Sequence, residues 1–266
     1  MTFPTADHGS QRPDCTQLSN GNPPPWPAAI LDEDRLENLV VELHEARDLQ
    51  QTMDRFLAFV VDFLACDHAT IALRHRARVT AAGATDEASL AALQAQLECG
   101  EGPCLTAIST GLSVLVPDTA LETRWPLWTS QVTPRGRSIF AIPLTTSSST
   151  VGALTLTGEQ PHSFDAEDAE APRVATYGAI AIASAREHDS LVEAVNAGQC
   201  IGQAVGILRE RFSIEEGRAF DILKRYSQDS NTKLRDVAQH LLDTGQLPTT
   251  DRKSHQKLPG LSPVRP

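Results

Sequence analysis

The sequence predicts two folded parts: an α+β domain over residues 32–188, with a mainly antiparallel sheet and helices packed on its face, and an all-α module of three helices over 189–248. Three observations predict this. The first part runs as helices, two strands, helices, one strand, a helix, two strands and a closing helix, without the regular strand-helix alternation of a parallel sheet. Its last two β-rich runs, 138–144 and 151–157, are joined only by polar 145–150 and so read as an antiparallel pair. The stretch 191–248 carries three helical periodicities separated by two short breaks.

Residues 1–31 are rich in Pro, Ser, Asn, Gln and Asp and end in Asn22-Pro23-Pro24-Pro25-Trp26-Pro27, a composition that buries no core. A disordered tail is expected there. From 32 to 65, Leu36, Leu39, Val40 and Leu43, then Leu49, Met53, Phe56, Leu57 and Val60, follow helical spacing and give one long or two consecutive amphipathic helices. Strands are expected at 68–73 and 78–82, the second ended by Gly83, followed by a helix over about 86–97. The break Cys99-Gly100-Glu101-Gly102-Pro103 comes next, and Pro103 suits the first turn of a short helix closed by Gly111. A strand at 112–116, a turn at Pro117-Asp118 and a helix over 124–132 precede the two paired strands. The closing helix is expected from Asp165 to about His188, running with little interruption into the next segment.

Along that segment Leu191, Ala194, Gly198, Ile201, Val205, Leu208 and Phe212 recur at alternating steps of three and four, the seam of a heptad helix. Ser213 and Glu216 have the form of a capping box for a second helix, whose inward face reads as Ala219, Phe220, Leu223 and Tyr226. Asn231 or Thr232 suits the start of the third, with Leu234, Val237, Ala238, Leu241 and Leu242 as its apolar stripe and Gly245 as its C-cap.

The 34 acids and 23 bases leave a formal charge of −11, which argues against a nonspecific nucleic-acid binder. The charge is divided unevenly. Residues 191–248 hold seven bases against eight acids, the tail 249–266 is basic at +3, and the chain before Leu191 therefore carries −13. A nucleic-acid site in the rear module must accordingly be a patch on one face. Neither a long uncharged apolar stretch nor a secretory signal is evident, and the five scattered cysteines form no disulfide framework, so a cytoplasmic, thiol-reduced protein with no membrane partner is expected.

Residues 201–208 (IGQAVGIL), 218–231 (RAFDILKRYSQDSN) and 233–242 (KLRDVAQHLL) resemble the ANTAR domain, a three-helix RNA-binding output module of bacterial transcription antiterminators. The family usually has an arginine a few residues before IGQA, and this chain has Gly198 in that region. The front part resembles a GAF domain, a module that senses small molecules or other signals. The resemblance rests on Gly100-Glu101-Gly102-Pro103-Cys104, on 114–118 (VLVPD), on Arg124-Trp125-Pro126, on 138–144 and on Gly152-Ala153-Leu154. Together the two resemblances imply a signal-responsive regulator that binds RNA stem-loops as a homodimer, with an unidentified small molecule or protein as the signal.

On spacing, Lys224, Arg225, Tyr226, Lys233 and Arg235 gather cations and an aromatic around one helix junction, with Arg209 and Arg211 near the preceding turn; phosphates and unstacked bases are bound by those residue types. The competing reading is that they are solvated helix-face charges and that Tyr226 belongs to the core. Three helices with a short turn also describe a DNA-binding regulator. Cys99 and Cys104 flank the Gly-rich break, and some GAF-fold enzymes reduce oxidised methionine with cysteines, so a thiol reductase is the enzymatic alternative to the non-enzyme favoured here. Metal-ligand spacings and a phosphate-cradling loop are absent, and no cofactor is expected.

Overall fold

The computed structural model describes residues 33–130, 136–165 and 170–248, so the expected tails at 1–31 and 249–266 lie outside the described residues. The chain divides into two compact units, the first ending at Ala181 and the second running from Ile182, which also groups with Arg47–Leu49.

In the first unit the helical stretch at the start is two helices, α1 (Glu33–His44) and α2 (Leu49–Phe63). The apolar spacing places Leu36, Leu39 and Leu43 of α1, and Met53, Phe56, Leu57 and Val60 of α2, among the buried residues. Next come β1 (His68–His75), β2 (Arg78–Ala84), α3 (Glu87–Cys99), α4 (Pro103–Thr110) and β3 (Val114–Val116). A 3₁₀ turn (Thr119–Leu121), α5 (Pro126–Thr129), β4 (Ser138–Thr145) and β5 (Thr150–Gly158) follow. Sheet order is β2-β1-β5-β4-β3, and every neighbouring pair is antiparallel. Central β5 is buried along most of its length, as expected of a strand covered on both faces.

Register decides which side chains share a face. Thr70 opposes Thr155 and His68 opposes Thr157, while Ala72 opposes Ala153. Ile139 and Ala141 of β4 oppose Thr157 and Thr155. This face lies under α3, α4 and α5, where Leu93, Cys104, Ala107 and Trp128 join Ala72, Ile139, Ala141 and Ala153 in one core cluster. Gly83 does not end β2 as the sequence suggests. It lies inside the strand, where a Cβ would stand 3.1 Å from Leu57 Cδ1 of α2, so the missing side chain permits a close helix-sheet approach. The helix expected over 124–132 is confined to α5 among the described residues, since Pro126 sets its start and Gln131 and Val132 lie outside them.

The closing helix α6 runs unbroken from Glu170 to Phe212, as the sequence predicts for its continuity. In the second unit its last turns meet α7 (Glu216–Ser230) and α8 (Leu234–Thr244) around Cys200, Ala204, Val205, Leu208, Ala219, Ile222, Leu223, Val237, Ala238 and Leu241. Each fully buried leucine in this set contributes about 1.5 to 3 kcal/mol relative to exposure. The predicted stripe on α8 and the left-handed Gly245 cap are both present.

Three local expectations fail. The capping box does not form: Ser213 has a positive φ of 50°, Glu215 is the N-cap of α7, and no side chain caps that end. Asn231 ends α7 in the left-handed conformation instead of starting α8, which begins after Lys233. The heptad seam of α6 divides. Val205 and Leu208 are buried and Ile201 and Phe212 half-buried in the protein's own three-helix core, whereas Leu191, Ala194 and Gly198 are exposed. By length and composition alone α6 is long and apolar enough to cross a membrane, although it holds no uncharged apolar stretch of that length. Its interior nevertheless includes polar Glu193, Gln199 and Gln203, and its Cys200, Ala204, Val205 and Leu208 are spent on the three-helix core.

Candidate functional site

Two features stand apart from the packing of the chain: a surface on the C-terminal three-helix unit and a cavity in the N-terminal unit.

Of the seven residues selected from sequence for the surface, two are exposed cations without a partner among the described residues. These are Lys224 on α7 and Lys233 at the start of α8. Between the helices lie only Asn231, Thr232 and Lys233, the last being the N-cap of α8. No side chain caps α8; Asp236 N and Val237 N donate to the Lys233 carbonyl, at 2.9 and 3.1 Å, and the N–H groups of Leu234 and Arg235 are left without a side-chain cap beside Lys233, an arrangement that favours an anion. Arg225 pairs with Asp229 one turn on, at 3.7 Å. Arg235 is held by Glu193 at 2.7 Å and by Asp236 at 3.5 Å, and Arg209 faces Glu216 at 3.7 Å. Arg211 Nη1 donates to the Gly245 carbonyl at 2.6 Å and so satisfies the end of α8. Tyr226 is half-buried against the three-helix core.

The structure adds two residues. Arg218 of α7 is exposed and, like the two lysines, without a partner among the described residues. Phe220, expected inside, is 40% exposed, and Ile222 takes its place in the core. Phe220 and Lys224 are four residues apart and so share one face of α7. A planar apolar ring beside a free ammonium is what an unstacked base and its phosphate require.

The cavity, about 80 Å³, lies between the Thr-bearing sheet face and α3 with α5. The Gly-rich break shapes it. Glu101 Oε1 accepts from the N–H groups of Leu127 and Trp128, at 2.6 and 3.1 Å, and thereby caps α5 and fixes Trp128 at the cavity wall. Gly102 has φ +138°, and a Cβ there would stand 2.5 Å from the Gln96 side chain, so glycine is required. Cys104 N donates to Gln96 Oε1 at 2.7 Å. Asp86 caps α3, accepting from Ser89 N and Ser89 Oγ at 2.9 and 2.7 Å and from His68 Nδ1 at 2.8 Å. Burial pushes its carboxyl up, but the Ser89 bonds and His68 outweigh that and hold it below the usual range. Trp125 and Trp128 meet edge to face at 5.8 Å, both buried, and Arg124 lies over the Trp125 ring at 4.4 Å.

Of the two candidate thiols, Cys99 is half-buried with its Sγ donating to the Ala95 carbonyl at 3.0 Å, and Cys104 is fully buried in this core, where burial pushes its pKa up to about 12. A thiolate is needed for nucleophilic chemistry, so the geometry disfavours a reductase at this position. The expected outcome of brief iodoacetamide treatment of the native protein at neutral pH is no label on Cys104, with full labelling after denaturation. Mass spectrometry showing rapid native labelling of Cys104 would restore the enzymatic alternative.

Comparison with known proteins agrees with this architecture. The family model described as the GAF domain matches residues 46–183, and the one described as the ANTAR domain matches residues 189–242. No curated protein sequence matches the chain. Among solved structures, the GAF domain of an Acinetobacter phosphoenolpyruvate-protein phosphotransferase is 18% identical, at a TM-score of 0.49, covering 60% of this chain and 96% of that one. A free methionine-R-sulfoxide reductase from Neisseria meningitidis is 17% identical, at 0.48, covering 59% and 90%. The GAF domain of a Coxiella burnetii phosphoenolpyruvate-protein phosphotransferase is 17% identical, at 0.47, covering 59% and 96%.

Proposed function

The chain belongs to the GAF family and carries an ANTAR domain behind it, the architecture of a regulator with a sensor domain and an RNA-binding module, and from that premise we propose a signal-gated transcription antiterminator. Its ANTAR unit binds an RNA stem-loop in the nascent transcript, and the state of the GAF unit sets whether it does so. A regulator of this kind works in the cytoplasm, where transcripts are made. The observation that carries the reading is the exposed Phe220 with Lys224 one turn on along the same face of α7, while Arg218 and Lys233 are further exposed cations of the unit; none of the three cations is spent on protein carboxylates among the described residues. Arg209, Arg211, Arg225 and Arg235 serve this surface less directly, because each is already engaged within the unit. Tyr226 contributes through the core.

The double variant Lys224→Ala/Lys233→Ala is expected to bind an RNA hairpin more weakly and to flatten the salt dependence of log K by about two, one for each ammonium-phosphate pair removed. Circular dichroism should remain that of the wild type. An unaltered salt slope removes both lysines from the interface.

The reading includes pairing of two copies. Leu191, Val192 and Val195 of α6 are 61, 44 and 66% exposed, an apolar run on a helix that continues into the ANTAR core. Two such helices side by side bury that run and present two RNA-binding faces together. The variant Leu191→Glu/Val195→Glu is expected to sediment as a monomer where the wild type sediments as a dimer. A wild-type monomer, with and without RNA, contradicts the pairing.

A further inference from the structure

The GAF cavity carries more chemical information than its position, and its lining identifies a class of ligand. Cys104 N is a donor and requires the oxygen of the Gln96 amide, so the orientation of that amide is fixed by chemistry and its Nε2 group is the end left over. Gln96 is 4% exposed and lines the cavity, and its side chain has no further hydrogen bond among the described residues. Thr155 of β5, 6% exposed, lines the same cavity from the sheet. Its Oγ1 neighbours the Cys104 thiol, a weak partner, and is buried without a hydrogen bond of ordinary geometry. Thr70, its cross-strand partner at 5% exposure, and Thr157 add two more hydroxyls to the wall, neither bonded to the described protein. Thr155 Oγ1 is the buried unsatisfied group of this lining, at a cost of about 1 to 3 kcal/mol, and the Gln96 amide and the Thr70 and Thr157 hydroxyls face the same space, so the lining suits a polar occupant.

Charge narrows the class. Among the described residues no Lys or Arg lines the cavity, and His68, its one basic side chain, is taken up by Asp86 at 2.8 Å and faces Glu159 at 3.8 Å, which leaves no free cation there for an anion. The one carboxylate, Asp86, is committed to Ser89 and His68, which leaves no free negative group to hold a cation. Size narrows it again. At about half the ~150 Å³ of a cavity known to accept benzene, the space takes roughly three to six non-hydrogen atoms.

We infer that the GAF cavity binds a small uncharged molecule of the amide type, its carbonyl oxygen accepting from Gln96 Nε2 and its N–H groups donating to the hydroxyls of Thr70 and Thr155, over a wall of Leu93, Ile139 and Trp128. This rests on the sensor reading of that unit and specifies its ligand chemistry. Both ends of the amide are used. The donor at Gln96 rejects a group that offers only protons, and the absence of a free cation penalises a carboxylate of the same shape.

Acetamide, acetate and acetamidinium share one shape and differ in charge, and they form the test on the full-length chain. Nitrogen-15 spectra are expected to show acetamide alone perturbing the Gln96 side-chain signal. Thr155→Val, which removes the hydroxyl with little change in volume, is expected to weaken acetamide binding by about five- to tenfold. Gln96→Glu, which keeps an acceptor for Cys104 N but replaces the amide NH2 by an oxygen, is expected to reverse the order in favour of acetamidinium. Acetate or acetamidinium binding the wild-type cavity as well as acetamide overturns the ligand class and leaves the sensor reading standing. Binding of none of the three also overturns it. Acetamide binding at Gln96 without any change in affinity for an RNA hairpin supports the ligand class and contradicts the gating.

Discussion

Phe220→Ala is expected to weaken RNA-hairpin binding by about five- to hundredfold, the range for loss of one base-aromatic stack. The side chain is 40% exposed and the ANTAR core is completed by Ile222 and Leu223 on the same helix. Truncation therefore opens no internal cavity, and alanine is the better helix former. Binding and stability separate cleanly at this position. The melting temperature should stay within a degree or two of the wild type while affinity falls. Tyr226→Ala is expected to behave in the opposite manner, lowering stability first because its ring is packed in the core. Equal affinity of Phe220→Ala and wild type for the same hairpin would remove the ring from the interface and leave only the cations to carry it.

Gly178→Ala is expected to destabilise the GAF unit by about 3 kcal/mol, near the upper end for inserting a methyl group into a packed core. Gly178 lies on α6 where a Cβ would stand 2.1 Å from the Phe56 ring and 2.3 and 2.6 Å from two further ring carbons. Phe56 is fully buried, so its ring has no open space to enter. For a unit of this size the loss corresponds to roughly 6 to 12 °C in melting temperature. Phe56→Leu in the same chain is expected to recover part of it, because a smaller side chain frees the volume the methyl group needs. An unchanged melting temperature for Gly178→Ala would mean that α2 and α6 approach each other less closely than these distances require.

These two positions also mark what is and is not legible in the sequence. The order of elements, the antiparallel pairing of β4 with β5 and the unbroken α6 follow from hydrophobic period and from where Gly and Pro interrupt it. Phe220 escapes the pattern for a definite reason. Helix α7 has apolar residues at 219, 220, 222, 223 and 226, more than one face can bury, and both 219-220-223-226 and 219-222-223-226 satisfy helical spacing. A surplus aromatic next to Lys224 is the available signal. Caps fail differently. Ser213 and Asn231 carry the right side chains, but both adopt positive φ in tight turns set by the packing of α7 against its neighbours, which spacing does not report. The seam of α6 reads as one surface because heptad spacing does not say which partner covers it. In the structure the same row serves the ANTAR core at Val205 and Leu208 and faces solvent at Leu191. The cavity is least legible, since its hydroxyls come from β1 and β5 and its amide from α3, far apart in sequence and joined by strand register and by the cap that Glu101 places on α5.

The measurement that bears most directly on RNA recognition is binding of the full-length protein to a pool of short RNA hairpins, with matched DNA hairpins, at two salt concentrations. Selection of RNA hairpins with a shared loop, weakening with salt and lost in Phe220→Ala, is the predicted result. Equal or tighter binding to duplex DNA would contradict it and make the protein a DNA-binding regulator built on the same three helices.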